Sequence, residues 1–289
     1  MKIQKMADLN RRLVVSSIIG LVVIFFIVFS QNLLVSILLA LCVAALSCIG
    51  VWEYAQLAIA KGVQPAVKLM VIAAGLVVVA FFASLHFVDF PQLPIFVLAV
   101  AIVAFFLNRF KDTQDSLVNI AVEFFGISYV AVPLSLMLGV LYPVTHQGMA
   151  QEGRWWLLYL ITVTKMTDVG AYFIGRLFGK RKLSPMLSPK KTIEGAVAGF
   201  ICAILTSLLI RSLGQSLSPE QFHLTLFEAL WLGALLGIFS QIGDLAESLL
   251  KRDAVVKDSN HLPGLGGVLD MVDSLLITTP IVYFFIKLH

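Results

Sequence analysis

The sequence predicts an all-α, polytopic integral membrane protein of about nine transmembrane helices, with its N-terminus in the cytoplasm. Composition is the first reason: of 289 residues, 59% are apolar and 13% charged, with a mean hydropathy of +0.95, the profile of a lipid-embedded chain rather than a soluble domain. The second is spacing. Apolar runs lie near 13–31, 33–58, 67–88, 93–108, 117–142, 155–176, 193–213, 226–250 and 267–287, each near the ~20 residues that a helix needs to cross a bilayer. The third is the distribution of cations. With nine spans and the N-terminus inside, seventeen of the 21 Lys and Arg fall on cytoplasmic segments. The far side keeps only Arg154, Arg211 and Lys287, and Lys165 lies within a span. The positive-inside rule then fixes the orientation.

The first run is long for a signal peptide, lacks a small-residue cleavage site and is followed at once by another apolar run, so it reads as an anchor. Runs one to four are otherwise lipid contact and helix packing. Cys42, Cys48 and Cys202 all sit in apolar runs, with neither a disulfide framework nor metal-ligand spacing, and read as small hydrophobes. Glu53, beside Trp52 and Tyr54 at the cytoplasmic end of the second run, can belong to a site, but headgroup level is the favoured expectation. The connection 109–116 balances its charges. Glu123 shares a helix face with Gly126 and Tyr129, and a structural pairing is the expectation there.

From residue 155 the texture changes. Lys165 and Asp168 lie one turn apart inside an apolar run, followed by a basic loop punctuated by Ser184-Pro185 and Ser188-Pro189. The pair can simply neutralise one another, and the loop can simply attract anionic headgroups. However, Lys190, Lys191 and Thr192 lead into a helix start at Ile193, and cations beside free helix-terminal amides suit phosphate. His223, in the polar connection 214–225, reads as a solvated loop residue.

Residues 243–274 concentrate charge where lipid would be expected. A charge at bilayer depth costs about 2.5–3.5 kcal/mol even on a lenient insertion scale, so Asp244, Glu247, Asp270 and Asp273 need partners, water or a cation. Asp244, Glu247, Ser248 and Lys251 recur at helical spacing on one face. Either they form an intramembrane salt-bridge ladder, or they hold a hard cation such as magnesium together with phosphate oxygens. Asp270 and Asp273 supply acid that a ladder would not need. Pro263-Gly264-Leu265-Gly266-Gly267 allows close backbone approach, but it is neither a Walker loop nor a dinucleotide fingerprint.

This stretch resembles the C-terminal signature of the phosphatidate cytidylyltransferase (CDP-diacylglycerol synthase) family. Matching positions are Ser248, Leu250, Lys251, Arg252, Lys257, Asp258, Pro263, Gly266, Gly267, Asp270 and Asp273. The likeness extends to Gly243-Asp244-Leu245 with Glu247, to Asp168-Val169-Gly170-Ala171-Tyr172 and to Ser188-Pro189-Lys190-Lys191-Thr192. It departs in three places: Leu265 stands for a family His, Met271 for a family Arg, and the interval after Asp258 is one residue shorter.

The resemblance implies transfer of a cytidylyl group from CTP to phosphatidic acid, giving CDP-diacylglycerol and pyrophosphate for phospholipid biosynthesis. It implies residues 1–150 as an N-terminal transmembrane part of about five spans. Residues 151–289 become a catalytic transmembrane part with cytoplasmic loops 177–192 and 251–266, in a membrane of the bacterial inner type. The implied roles put Asp244 and Asp270 on magnesium, supported by Asp273 and Asp258, with room for a second, monovalent cation. Lys251, Arg252, Lys257, Lys190 and Lys191 would bind phosphates. Asp168, Ser188, Thr192, Ser248, Gly266 and Gly267 would line the substrate site. The expected partners are CTP, phosphatidic acid and membrane lipid, with no nucleic acid, and a homodimer is compatible. Two rivals remain. One is an ion-coupled transporter, whose mark would be an internal repeat; none is evident. The other is an inactive paralogue that binds lipid or nucleotide, for which Leu265 and Met271 speak.

Overall fold

The computed structural model describes residues 18, 20–110, 113–143, 152–255 and 267–288. The described chain is helical almost throughout. The helices are α1 (Gly20–Phe29), α2 (Leu33–Ala60), α3 (Val67–His86), α4 (Leu93–Arg109), α5 (Ser116–Gly126), α6 (Val132–Leu141), α7 (Gly153–Phe178), α8 (Ile193–Leu217), α9 (Leu226–Asp253) and α10 (Val268–Leu288). A five-residue π-helix, Ile127–Ala131, joins α5 to α6 into one apolar segment, Ser116–Leu141. A mid-segment π turn suits Pro133, which has no amide to donate to the ladder.

Every apolar run of the sequence therefore carries a helix, and among the described residues seven segments are long and apolar enough to cross a membrane. The polytopic all-α class is borne out. The described part of α1 and α4 are shorter; the 17 residues of α4 span about 26 Å at 1.5 Å per residue, a little under the hydrocarbon thickness.

Local chemistry sets the breaks. Asn32 separates α1 from α2 by accepting from the amides of Leu34 (2.9 Å) and Val35 (3.4 Å), an N-cap satisfying donors that a helix start leaves open. Thr225 and Glu228 form a reciprocal capping box at the start of α9. The three cysteines are free. Glu123 is fully buried and accepts from Arg109 Nη2 and from the amide of Ala66, both at 2.7 Å, so the structural pairing expected for it is what the fold uses.

The helix ends gather at two opposite ends of the bundle. At one end, Lys61 after α2 pairs with Asp253 of α9 (2.7 Å), Arg109 of α4 donates to the carbonyl of Gln64 (2.5 Å), and Arg252 donates to the carbonyl of Leu187 (3.1 Å). At the other, Tyr142 donates to the carbonyl of Ser30 (3.0 Å), Trp155 donates to Ser218 (2.9 Å), and the amide of Glu152 donates to the carbonyl of Gln221 (2.8 Å). The helices thus alternate in direction as successive membrane crossings must.

Two apolar clusters fill the bundle, one centred on α2, α3 and the α5–α6 segment and the other on α7 to α9; α10 contributes to both, with Leu269 and Leu276 in the first and Leu275 and Val282 in the second. Close approach relies on small residues, as expected where lipid supplies no hydrophobic drive between helices. A Cβ on Gly199 of α8 would come within 2.8 Å of the carbonyl oxygen of Thr167 in α7, and one on Gly243 of α9 within 2.7 Å of that of Asp273 in α10. Helices α7, α8, α9 and α10 are thereby drawn together around one polar centre.

The basic segment expected as a loop is instead an antiparallel hairpin, Lys182–Ser184 (β1) with Ser188–Thr192 (β2), pairing Lys182 with Thr192 and Ser184 with Ser188. Pro185 falls at the turn, where its fixed φ is favourable, and Pro189 is tolerated because a two-strand ribbon has only edges.

Candidate active site

Three helices bring their charged residues to one cavity of about 310 Å³, lined by Lys165 and Asp168 from α7, by Asp244, Glu247, Ser248, Lys251 and Arg252 from α9, and by Asp270 and Asp273 from α10. The α9 residues share a face because their spacing follows the helical repeat. Asp270 and Asp273 stand one turn apart in the first two turns of α10. The contact at Gly243 brings Asp244 beside them.

Each acid is held differently. Asp168 sits 3.6 Å from Lys165 Nζ and accepts from the hydroxyls of Ser240 (3.3 Å) and Ser274 (3.4 Å). Lys165 also donates to the carbonyl of Met271 (3.0 Å), tying α7 to α10. Asp244 pairs with Lys191 of the hairpin at 2.5 Å. Lys251, only 9% exposed at its side chain, lies between Glu247 (2.7 Å) and Asp270. Asp270 also accepts from the amide of Gly267 (3.1 Å). Asp273 accepts from the amide (2.5 Å) and hydroxyl (3.1 Å) of Ser274.

A second cavity of about 530 Å³ adjoins the first and shares Asp168 and Asp244 with it. Tyr172, Arg176, Lys182, Lys190, Lys191, Thr192 and Gln241 are among its lining residues, with apolar contributions from Ala171, Leu183 and Ala196. One compartment is thus acidic, with the buried cation Lys251 among its acids. Its neighbour is cationic and partly apolar.

Of the residues expected at the site, Asp168, Asp244, Ser248, Lys251, Arg252, Asp270 and Asp273 meet in the first cavity and Lys190, Lys191 and Thr192 in the second. Gly267 touches the site through its amide bond to Asp270. Lys257, Asp258 and Gly266 lie outside the described residues. Ser188 pairs across the hairpin with Ser184 and lines neither of these two cavities.

Two expectations need correction. The amides at the start of α8 are not free for phosphate: Thr192 Oγ1 accepts from Gly195, the amide of Ile193 donates to the carbonyl of Arg181 (2.9 Å), and the Glu194 carboxylate already accepts from the amides of Lys180 and Arg181. Thr192 is an N-cap, and anion attraction there comes from lysine side chains. Glu53 is not at a headgroup surface: it is 2% exposed and accepts from the amides of Val268 (2.9 Å) and Leu269 (2.7 Å).

The sequence offered Glu247 as either a ladder or a cation-holding acid without giving it a role in the site, and it read Lys165 only as a partner for Asp168, although each lines the first cavity. Tyr172 belonged to a matching stretch but had no assigned role, and nothing local marked Arg176 or Gln241, which enter because α7, α8 and α9 converge.

No three of the His, Cys, Asp and Glu side chains among the described residues converge into a preformed metal cage. Magnesium needs none: it keeps several waters and takes one or two carboxylates with substrate phosphate oxygens. The oxygen donors of Asp244, Asp270 and Asp273, in a cavity that also carries cations for phosphate, are chemically suited to it.

Comparison with known proteins points the same way. A sequence model described as "Cytidylyltransferase family" matches residues 10–289. A phosphatidate cytidylyltransferase of Chlamydia pneumoniae is 35% identical over 284 residues, covering 96% of this chain and 92% of that protein. The corresponding protein of Synechocystis is 32% identical over 298 residues, covering 95% and 96%. One from Chlamydia muridarum reaches 44% over 160 residues, 55% of this chain and 52% of its own. With the match running through every helix that builds the two cavities, the chain belongs to the cytidylyltransferase family.

Proposed function

We propose that this chain is a phosphatidate cytidylyltransferase: it transfers a cytidylyl group from CTP to phosphatidic acid, giving CDP-diacylglycerol and pyrophosphate for phospholipid biosynthesis. The observation that carries the reading is the pair of adjoining cavities at one end of an apolar bundle, one rich in carboxylates and cations, the other cationic and partly apolar. A nucleotide triphosphate and a lipid phosphate need just such neighbouring compartments. The relatives covered almost end to end carry this activity in their names.

In the reaction an oxygen of the lipid phosphate attacks the α-phosphorus of CTP, and the bond from that phosphorus to the bridging oxygen of the β-phosphate breaks. A phosphate monoester is already an adequate nucleophile, so no side chain need act as a strong base; catalysis is positioning and charge neutralisation. Lys251 and Arg252 hold the polyphosphate in the first cavity. Lys190, with Lys182 and Arg176, receives the lipid phosphate in the second, beside apolar walls that suit the start of an acyl chain. Lys191 stands at the boundary and can exchange its bond to Asp244 for a bond to phosphate, since both are charge-assisted contacts to oxygen. Ser240 and Ser274 hold Asp168 by hydroxyl donors at the junction of the compartments. Magnesium, when held by Asp244 and Asp270 with Asp273 in support, supplies neutralisation of phosphate charge.

The bundle end that carries the site also carries Lys61, Arg109, Arg176, Lys182 and Lys190, and the positive-inside rule makes that end cytoplasmic, where CTP is found. The protein is accordingly a multi-pass protein of a bacterial inner-type membrane. The test is direct. Purified protein given labelled CTP, phosphatidic acid in detergent or vesicles, and magnesium should form labelled CDP-diacylglycerol and release pyrophosphate in equal amounts. Folded protein that forms no labelled lipid under any magnesium concentration would refute the reading.

A further inference from the structure

We propose that Glu53 is a positioning residue for the reaction: from α2, in the half of the chain remote in sequence from the site, it clamps the start of α10 and thereby sets where Asp270 and Asp273 stand. The inference rests on the cytidylyltransferase reading above. Glu53 is 2% exposed, and its two carboxylate oxygens are used separately, Oε1 accepting from the amide of Val268 (2.9 Å) and Oε2 from that of Leu269 (2.7 Å). These are the first two residues of α10. Helix-start amides have no partner within their own helix, and a carboxylate that receives two of them both satisfies them and complements the positive end of the helix dipole.

The same α2 holds the other side of the gap. Lys61, two turns beyond Glu53, pairs with Asp253, the last residue of α9. The end of α9, with Lys251 and Arg252, and the start of α10, with Asp270 and Asp273, are therefore referenced to one rigid helix. The buried contact at Glu53 is the stronger of the two, because the Lys61–Asp253 pair is more than half exposed on both sides and so contributes little. Just before α10, the amide of Gly267 is taken by Asp270 itself. If Glu53 releases Val268 and Leu269, the first turn of α10 loses both of these hydrogen bonds to α2. The acids one turn on then move with it. Glu53 itself lines neither cavity, so it acts through α10 and not on substrate.

The test uses the full-length protein with Glu53→Gln, Glu53→Asp and Glu53→Ala. Glutamine keeps the shape but turns one acceptor into an amide donor, so one of the two helix amides loses its partner. Per folded molecule, Glu53→Gln should lower kcat roughly tenfold and raise the magnesium concentration for half-maximal rate, with KM for phosphatidic acid unchanged, because the lipid cavity is lined from α7, α8, α9 and the hairpin and by no residue of α10. Glu53→Asp, which keeps the charge on a shorter arm, should fall between wild type and Glu53→Gln. Hydrogen–deuterium exchange over residues 267–272 should quicken in Glu53→Gln without catalysis being involved. Wild-type kcat, magnesium response and exchange in Glu53→Gln would overturn the proposal. So would a loss of activity that only follows the folded fraction while exchange at 267–272 stays slow. An inactive wild-type protein would instead count against the cytidylyltransferase reading, and the exchange experiment would still decide whether Glu53 clamps α10.

Discussion

Replacing Asp244 by Asn separates a catalytic acid from a salt-bridge partner. The side chain loses its charge, keeps its shape and retains one acceptor oxygen. Asp244 is 34% exposed at its side chain and its partner Lys191 26%, with 2.5 Å between them. A partly exposed pair that water reaches on both sides contributes on the order of 1 kcal/mol to stability. The freed Lys191 can also reach water, so no buried charge is stranded. A purely structural Asp244 thus predicts a protein that folds almost normally and keeps its rate. A carboxylate that helps hold magnesium predicts something else: loss of several kcal/mol of transition-state charge stabilisation, where each 1.36 kcal/mol is about tenfold in rate. Asp244→Asn should therefore lower turnover by about a hundredfold or more while the thermal midpoint stays close to wild type. The assay is labelled CDP-diacylglycerol formed per folded molecule across a magnesium titration, with folded protein counted by gel filtration. The two effects differ by more than the error of either measurement. Turnover within about threefold of wild type, with an unchanged magnesium response, would refute the role given to Asp244.

Three further outcomes are expected. Lys190→Ala and Lys191→Ala should each lower kcat/KM by roughly tenfold or more, the loss of one charge-assisted phosphate contact; wild-type kinetics in both would leave the hairpin a membrane-surface element. Glu123→Gln should act on stability alone, since it strips the ion pair of the nearly buried Arg109, and neither residue lines either of the two site cavities; a cost of roughly 3–5 kcal/mol should appear as a lower thermal midpoint with turnover per folded molecule unchanged, and a selective loss of turnover would contradict it. In a variant without Cys42, Cys48 and Cys202, a cysteine at Met186, which is 89% exposed at the hairpin turn, should resist an impermeant reagent in intact cells and react in opened ones. Labelling from outside would reverse the orientation.

The sequence by itself determined the class and the positions of the helices. In lipid a helix satisfies its backbone bonds within its own segment, so length and hydropathy suffice: Leu33–Ala60 and Val67–His86 are legible from their own residues, and Asn32 marks the break before the first of them. The α9 face of Asp244, Glu247, Ser248 and Lys251 was legible for the same reason, because a helical repeat is local. Only the tertiary structure decided what those groups meet. Glu53 reads locally as an interfacial acid, yet its partners Val268 and Leu269 stand some 215 residues away in the chain. Asp244 meets Lys191 because a hairpin, invisible to a search for helical periodicity, folds the basic segment back over the cavity. Thr192 looked like part of an anion site, and the fold uses it as a cap because neighbouring groups take the amides first. Pairings between helices depend on crossing geometry set by small residues such as Gly199 and Gly243. No single segment encodes that geometry, so the assembled bundle had to supply it.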